Sequence, residues 1–215
     1  MLYIFYHVYC DIGALDIVKS QLTNILFSGL YKHVDKIHVF LAGKEEHINT
    51  IESMVLGFGD KYSIAEKGIN DTTYERFTLE KIANYVTNDD KFCYIHSKGV
   101  THVHDYNNHK SNSVWWWRTY MEYFLFTEYE KRIAELEEWD TTGVNWYDDT
   151  PHYSGNMWWC RGDYWLKLPQ RIGAAYNDPE FHIGKGNGKH LLIRHSNTDH
   201  YMTVYYPINY LDKSV

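Results

Sequence analysis

The segment His96-Ser97-Lys98-Gly99 combines a cation, a hydroxyl group and a glycine directly after the apolar run at residues 91–95. A lysine at such a position can bind a phosphate as a point charge, and a glycine lets the backbone approach a ligand closely. The competing interpretation is a polar turn whose lysine is solvated, because the pattern is too short to be specific. His96, Ser97 and Lys98 are therefore candidate anion-binding residues.

A second candidate segment precedes that run. Asp71 is predicted to open a helix over residues 71–86, whose first turn can offer backbone N–H groups to an anion. Arg76 can pair with a phosphate or a ligand carboxylate. Ion pairing with Glu75 and Glu80 along the same helix is a fair alternative for this arginine.

The third segment, Ser154-Gly155-Asn156, is followed by Trp158 and Trp159. Hydroxyl and amide groups beside tryptophan suit a sugar, because polar groups fix its hydroxyls while a ring face stacks on it. Core packing is an equally good interpretation of the two tryptophans alone.

Carboxylates and histidines complete the set of reactive side chains. Asp178 and Glu180 lie two residues apart and can act as base, electrostatic stabiliser or metal ligand, although acidic pairs in loops are usually just solvated. Thirteen histidines suggest a metal site by number. The spacings of His96, His102, His104 and His109 match no compact zinc signature.

Composition excludes several classes of protein. The 215 residues include 21 Lys and Arg against 28 Asp and Glu, for a formal net charge of −7, which argues against nucleic acid or an anionic membrane as the main partner. No apolar run approaches the roughly 18 residues of a membrane span. The N-terminal segment lacks the pattern of a signal peptide, so we expect a cytoplasmic protein. Three cysteines without a CxxC pair read as buried free thiols.

Strands and helices alternate along the first half of the chain. The predicted strands cover residues 3–10, 36–41, 62–65, 91–95, 142–146, 156–160 and 191–194, with a further possible strand at 201–206. The predicted helices cover residues 17–30, 45–56, 71–86, 112–139 and 162–168. This order predicts one α/β domain over residues 1–215, with a mixed, mostly parallel sheet and helices on both faces. Such sheets bind ligands outside the carboxyl ends of their strands, here residues 8–11, 42–43, 66–71 and 96–99.

Taken in order, these segments resemble a GT-A glycosyltransferase, and in particular the retaining family of glycogenin and bacterial lipopolysaccharide galactosyltransferases. The chain also resembles the small glycosyltransferase domains of large algal DNA viruses, which act on capsid glycans. That retaining family has an Arg-bearing helix, a strand ending in Asp-x-Asp, an Asn-Ser-Gly strand, an Asp-Gln-Asp segment and a late histidine. The corresponding segments are Tyr74-Glu75-Arg76, His96-Ser97-Lys98, Tyr153-Ser154-Gly155-Asn156, Asp178-Pro179-Glu180, and His195 or His200.

The resemblance implies a Rossmann-like, nucleotide-sugar-binding GT-A fold. The implied enzyme moves a hexose or deoxyhexose from a UDP-sugar to a glycan or glycoprotein acceptor with retention of configuration, and the leaving phosphate accepts the acceptor's proton. A viral enzyme of this kind would work in the host cytoplasm.

The resemblance also implies roles for individual residues. Tyr6, His7, Val8, Tyr9 and Asp71 face the nucleoside; Arg76, His96, Ser97 and Lys98 face the diphosphate or donor sugar. Ser154, Gly155 and Asn156 line the donor sugar, with Asn156 counted among the catalytic residues beside Asp178 and Glu180. Trp115, Trp116, Trp117, Asp149 and the loop at 101–112 form the acceptor side.

One departure from the family pattern bears on the cofactor. The Asp-x-Asp that normally holds Mn²⁺ is replaced by His96-Ser97-Lys98, so the dependence on Mn²⁺ or Mg²⁺ stays open. Lys98 can supply positive charge to the departing diphosphate, or His96 with His195 or His200 can hold a metal beside the phosphates. Two other functions compete: a carbohydrate- or nucleotide-binding module without turnover, and a metal-dependent hydrolase.

Overall fold

The computed structural model describes residues 1–102 and 109–211, and a seven-stranded sheet lies at its centre. The strands of the described residues are β1 (Leu2–Cys10), β2 (Lys36–Gly43), β3 (Tyr62–Ile69), β4 (Lys91–His96), β5 (Thr141–Gly143), β6 (Trp146–Tyr147), β7 (His152–Tyr153), β8 (Trp158–Arg161) and β9 (His190–Leu192). The pair β6–β7 forms a separate two-stranded ribbon.

Helices connect and cover these strands. The α-helices of the described residues are α1 (Ala14–Phe27), α2 (Leu30–His33), α3 (Glu45–Gly57), α4 (Arg76–Leu79), α5 (His109–Glu122), α6 (Tyr129–Glu135), α7 (Gly162–Trp165) and α8 (Asp178–Phe181). A π-helix spans Tyr123–Thr127, and 3₁₀ turns span Ile82–Asn84, Val100–His102, His182–Gly184 and Pro207–Asn209. In the described part of the chain, no helix is both long and apolar enough to cross a membrane.

The sheet has the order β3-β2-β1-β4-β8-β5-β9. The first four strands in this order pair in parallel, β5 and β9 also pair in parallel, and β8 is antiparallel to both of its neighbours. Continuous apolar runs such as β4 are buried on both faces, as a central parallel strand requires. The predicted mixed, mostly parallel α/β sheet is therefore confirmed.

Two hydrophobic cores lie on opposite sides of the sheet, because successive residues of a strand face in opposite directions. In β1, Ile4, Tyr6 and Val8 belong to one core, and Phe5 belongs to the other. Trp158 and Trp159 divide between the cores in the same way, and both are buried. Core packing thus accounts for these two tryptophans. The three cysteines are buried and free, as predicted.

The predicted helix over residues 71–86 is wrong. Only the single turn α4 and a 3₁₀ turn form there, because Asn70 and Tyr74 take positive φ values of 56° and 54°. Asp71 does not open a helix; its carboxylate accepts a hydrogen bond from the Thr73 backbone N–H at 2.7 Å. A side chain that bonds its own backbone in this way favours a turn over a helix.

Other predicted boundaries are displaced by local backbone geometry. The helix predicted over 112–139 is divided into α5, the π-helix and α6, with Glu128 between the last two at φ −101° and ψ 26°. Asn145 and Asn156 take positive φ values of 54° and 51°, so the strands predicted at 142–146 and 156–160 are interrupted and shortened. Residues 201–206 form turns and irregular chain rather than a strand.

Candidate functional site

A pocket opens beyond the carboxyl ends of β1 and β4. His7 of β1 and His96 of β4 are register partners in the sheet, and both line this pocket together with Tyr9. Val114 of α5 and Pro179 and Glu180 of α8 also line it. The remaining lining residues lie in loops and turns: Tyr74, Glu75, Ser97, Lys98, Gly99, Val100, Thr101, His102, Gly155, Asn156, Tyr176, Asn177 and Tyr201. Its volume of about 170 Å³ admits one small group of a ligand. The remainder of a larger ligand would lie along the mouth of the pocket.

Ser97 ties the end of β4 to β1. Its backbone N–H donates to the His7 carbonyl at 3.0 Å, and its Oγ accepts from the Tyr9 N–H at 2.9 Å. These bonds extend the pairing of the two strands past the last residue of β4. The segment after β4 is therefore a fixed wall of the pocket.

Buried side chains hold this wall from behind. The Gln21 amide donates to the carbonyl of His96 at 3.2 Å, and the Arg118 guanidinium donates to the carbonyl of Lys98 at 2.7 Å. Arg118 also forms an ion pair with Glu122 at 3.3 Å, where both side chains are at most 3% exposed. The positions of the residues that face the pocket are thus set by a network beneath it.

Lys98 places a cation in the pocket. Its ammonium lies 3.9 Å from the centroid of the Trp117 ring. Among the described residues no carboxylate lies within ion-pair distance of it, although Glu180 and Glu75 are near enough to act on its charge. Burial lowers the pKa of Lys98, and the two carboxylates partly oppose that shift. An ammonium without a direct ionic partner is chemically suited to receive an anionic ligand.

Glu75 is the acidic residue on the floor of the pocket. Its Oε2 accepts hydrogen bonds from the Tyr94 hydroxyl at 2.9 Å and from the Asn156 amide at 2.5 Å. Burial raises the pKa of this carboxyl, while His7, Tyr94, Lys98 and Asn156 act in the opposite direction. The carboxyl group is therefore fixed in position, and it holds its proton more firmly than an exposed glutamate does.

His96 faces Glu75 with its unprotonated nitrogen. Its Nε2 lies 2.9 Å from the Gly155 carbonyl, and because a carbonyl only accepts, this nitrogen carries the proton. Burial lowers the pKa of His96 to about 3, so the ring is neutral and Nδ1 is an acceptor. Nδ1 is 3.5 Å from Oε1 of Glu75, an arrangement that favours the protonated carboxyl.

Glu180 reaches the pocket from α8. Its Oε1 accepts the backbone N–H of Gly155 at 2.7 Å, which fixes the carboxylate beside the turn that precedes β8. Gly155 takes φ 94°, and a Cβ there would lie 2.5 Å from the sulfur of Met121. Only glycine fits this turn, which presents an N–H to Glu180 and a carbonyl to His96.

Tyrosines form the mouth of the pocket. The rings of Tyr9 and Tyr74 lie 6.2 Å apart, and those of Tyr74 and Tyr176 lie 6.0 Å apart. Tyr176 is 79% exposed, so its ring is available to a ligand. An exposed aromatic group beside a buried cation is suited to a ligand with a flat ring at one end and negative charge at the other.

Several residues predicted to contact the donor lie outside the pocket. Tyr6 and Val8 are fully buried in the core on the other side of β1, because side chains alternate along a strand. Arg76 donates to the backbone carbonyls of Gly173, at 2.6 Å, and of Ala175. Arg76 therefore holds the loop that carries Tyr176. Asp71 bonds within its own turn and is not among the residues that line the pocket.

Asp178 has a similar local role. Its Oδ2 accepts the Ala175 backbone N–H at 2.8 Å, and it is not among the residues that line the pocket. Ser154 lines a second cavity instead of the first. Of the three predicted catalytic residues, Asn156 and Glu180 face the pocket, and their catalytic roles stay predictions.

The predicted acceptor residues are dispersed. Trp115 is 39% exposed with its ring 4.3 Å from the Arg118 guanidinium carbon, and Trp116 packs against Tyr206. Trp117 is buried beneath Lys98. Asp149 is exposed and lines neither cavity. Residues 103–108 of the loop predicted at 101–112 lie outside the described residues.

The three candidate metal-binding histidines do not come together. His96 binds the Gly155 carbonyl, His200 binds Ser196 at 2.7 Å, and His195 packs edge-on against Tyr147. Within residues 1–102 and 109–211, no three His, Cys, Asp or Glu side chains are arranged to hold a metal ion. The described donor set therefore does not fit a metal bound by protein side chains alone.

Sequence reasoning predicted Tyr9 but missed Glu75, Tyr74 and Tyr176 as residues of the pocket. Glu75 read as a helix-surface residue, since its partners Tyr94 and Asn156 are 19 and 81 residues away in sequence. No local pattern indicates Tyr176. The alternation of side chains along β1 was a usable signal, since it separates His7 and Tyr9 from Tyr6 and Val8.

The fold has counterparts among solved structures. One is 4-diphosphocytidyl-2C-methyl-D-erythritol synthase from Anaerococcus prevotii, with a TM-score of 0.52 and 8% identity over 96% of this chain and 94% of that one. Another is HddC from Yersinia pseudotuberculosis, with a TM-score of 0.53 and 12% identity over 91% of each chain. At these identities the likeness establishes the fold alone.

The sequence comparisons place the chain in a family. No curated protein matches it in sequence. A family model described as a domain of unknown function, DUF8361, matches residues 5–172, which include most of β1 and all of β4, together with Glu75, Lys98 and the Gly155 turn. The chain therefore belongs to the DUF8361 family.

Proposed function

We propose that the protein is a glycosyltransferase that moves a hexose or deoxyhexose from a UDP-sugar to a glycan or glycoprotein acceptor. The observation that carries the proposal is the ammonium of Lys98 at the carboxyl ends of β1 and β4, which has no ion-pair partner among residues 1–102 and 109–211. In open α/β sheets this edge is where ligands bind. The sheet is similar to that of a protein named as the synthase of a diphosphocytidyl compound.

The nucleotide half of the donor would lie across the mouth of the pocket. The base would stack on the tyrosines Tyr9, Tyr74 and Tyr176, and the diphosphate would reach Lys98. Arg76 contributes by holding the loop of Tyr176 rather than by touching phosphate. The donor sugar would then lie toward Asn156 and Gly155, with Glu75 and Glu180 on either side.

In the transfer step, the bond between C1 of the donor sugar and the diphosphate oxygen breaks. The acceptor hydroxyl oxygen forms the new bond to C1, and its proton goes to the leaving phosphate oxygen. Lys98 stabilises the negative charge that develops on the diphosphate, and the Glu180 carboxylate stabilises positive charge at C1. With proton transfer to the leaving group on the same face, the configuration at C1 is retained.

No step in this account passes through a metal ion, because the described donor set does not fit one. A nucleotide carries its own phosphate oxygens as additional ligands, so Mn²⁺ and Mg²⁺ belong in the test of the proposal. Lys98 would supply one positive charge at the position where the retaining glycosyltransferases that this chain resembles use Mn²⁺.

The proposal is tested by a thermal-shift screen with UDP, other nucleoside diphosphates and a panel of UDP-sugars. Each ligand is added with Mn²⁺, with Mg²⁺ and with chelator. At a ligand concentration of about 100 times Kd the stabilisation is about 2.7 kcal/mol, which is readily seen. A shift with a UDP-sugar, followed by release of UDP when an acceptor extract is added, supports the proposal. Absence of a shift with every nucleotide would overturn it.

A second function is favoured by one observation, the absence of Asp-x-Asp at the end of β4. In that case the protein binds a carbohydrate or nucleotide without turnover. Stable binding of a UDP-sugar with no UDP released in the presence of acceptors would favour this module over the transferase.

A further inference from the structure

Glu180 has one open carboxylate oxygen in the pocket that Lys98 lines. Its Oε1 accepts the Gly155 backbone N–H at 2.7 Å, whereas its Oε2 has no hydrogen-bond partner within residues 1–102 and 109–211. No cation in that part of the chain forms an ion pair with this carboxylate. Oε2 is not one of the buried atoms that lack a partner, so it has accessible surface on a residue that lines the pocket.

The position of Glu180 is set by the protein itself. Gly155, which anchors Oε1, has its carbonyl bound by the ring of His96 at 2.9 Å. The helix that carries Glu180 is anchored at its start, where Asp178 accepts the backbone N–H of Ala175 at 2.8 Å. The carboxylate therefore meets a ligand as a preorganised acceptor with a fixed negative charge.

Two opposite charges face a ligand in this pocket. Lys98 offers an ammonium that has no ion-pair partner in the described chain, and Glu180 offers the accessible oxygen Oε2. A phosphate matches the ammonium, and hydroxyl groups match the carboxylate oxygen because they donate hydrogen bonds. A sugar joined to a phosphate combines both features.

The same carboxylate disfavours a sugar that carries its own negative charge. The pocket has a volume of about 170 Å³, so a carboxylate on the sugar would lie close to Glu180. Lys98 is the one lysine or arginine among the described residues of the lining, and a bound phosphate would already pair with it. Like charges without a cation between them repel each other, and repulsion of the wrong ligand gives specificity.

We propose that Glu180 is a specificity-determining residue that selects a donor whose sugar carries hydroxyl groups and no carboxylate. A sugar hydroxyl donates a hydrogen bond to Oε2 of Glu180, while the phosphate on the same sugar lies against Lys98. As a statement about the donor, this inference rests on the proposed function. It narrows the donors to neutral hexoses and deoxyhexoses and excludes uronic acids.

The test is calorimetric titration of the 215-residue chain with pairs of ligands that differ only at C6 of the sugar. The pairs are UDP-glucose and UDP-glucuronate, UDP-galactose and UDP-galacturonate, and glucose 1-phosphate and glucuronate 1-phosphate. We expect the wild type to bind the neutral member about tenfold more tightly or better. In E180Q the amide oxygen can keep the bond to Gly155, and an NH₂ group that donates to a carboxylate replaces Oε2. The preference should then fall below about threefold.

E138Q is the matched control, because Glu138 is exposed and lines neither this pocket nor the cavity of Ser154. It should keep the wild-type preference. The inference is overturned if the wild type binds the uronate as tightly as the neutral sugar, or if E180Q keeps the full preference.

The glucose 1-phosphate pair separates this inference from the proposed function. Preference for glucose 1-phosphate without binding of any UDP-sugar would retain the role of Glu180 and reject the UDP donor. Binding of the UDP-sugars without preference would retain the donor pocket and reject the role of Glu180. Absence of binding in all three pairs would overturn both.

Discussion

Two groups of charged side chains lie at the end of β4, and they differ in whether the protein supplies their ionic partners. Behind the strand, Arg118 and Glu122 pair with each other, and the arginine donates to the carbonyl of Lys98. In front of the strand, Lys98 has an aromatic face beneath it and no direct carboxylate partner in the described chain, while Glu75 and Glu180 are held apart from it. Arg118 therefore has an ionic partner within the protein, although its Nη2 has no hydrogen-bond partner among the described residues. We propose that a ligand supplies the ionic partner of Lys98.

This difference separates structural charges from functional ones by their partners rather than by their burial. A paired buried ion is needed for stability, since removal of its partner leaves an uncompensated charge. An unpaired one is a liability for stability and is useful only for binding. Variants of the two groups should therefore affect different measurements.

The largest expected effect is on stability, when the ion pair between Arg118 and Glu122 is broken. Arg118→Met leaves the buried Glu122 without its partner and should lower the free energy of unfolding by about 3–5 kcal/mol. Urea denaturation monitored by circular dichroism measures it. The double variant R118M/E122L should recover much of the loss. If R118M alone unfolds at the wild-type urea concentration, the pair is not structural and the contrast fails.

A second expected effect concerns pH. Burial lowers the pKa of His38 to about 4, below the unfolded value of 6.5, so the unfolded chain binds its proton first as pH falls. Stability contributed by the neutral ring is present above pH 6.5 and is lost progressively toward pH 4, at up to about 1.4 kcal/mol per pH unit.

His38→Phe should therefore flatten the dependence of unfolding free energy on pH in this window. His38 stacks on Phe5 with ring centroids 5.3 Å apart and lines neither the pocket of Lys98 nor the cavity of Ser154, so UDP affinity should stay at the wild-type value. An unchanged pH slope in H38F would show that this ring is not held neutral by the fold.

A smaller effect is expected for Glu180→Gln. The variant keeps an oxygen to accept the Gly155 N–H and removes a negative charge near Lys98. UDP should bind a few-fold more tightly, whereas sugar transfer should slow because charge at C1 is no longer stabilised. E180A is the comparison, since it also releases Gly155. Weaker binding of UDP by E180Q would mean that the carboxylate contacts the ligand as an acceptor.

The smallest expected effect is that of Lys98→Met on stability. Methionine preserves an unbranched apolar stem over Trp117 and removes a desolvated charge. The free energy of unfolding should change by less than about 1 kcal/mol, toward greater stability. A loss comparable to that of R118M would place Lys98 among the structural charges.

A strand of the sheet could be predicted from the sequence where a local pattern of apolar and polar residues is enough to determine it. Residues 92–95 of β4 are continuously apolar and are followed by polar side chains, and this pattern predicted Lys98 at the ligand-binding edge of the sheet. The prediction of a helix over 71–86 was wrong, although the apolar residues there have helical spacing. The turn at Asp71 and the positive φ of Tyr74 interrupt a helix in this segment.

The site itself was predicted only in part, because its geometry depends on contacts that are distant in sequence. Glu75 becomes an acidic group of the pocket through Tyr94 and Asn156. The role of Arg76 as a brace for residues 173–175 follows from a loop nearly one hundred residues away.

The most direct test of the central claim, that Lys98 is a charge left open for an anionic ligand, is calorimetric titration of UDP. The wild type, K98M and K131M are compared, because Lys131 is an exposed lysine whose side chain is 67% accessible. Loss of a hydrogen bond to a charged group costs about 1.5–3 kcal/mol, or roughly a ten- to hundredfold change in Kd. We predict that loss for K98M and none for K131M; equal UDP affinity in wild type and K98M would contradict the account.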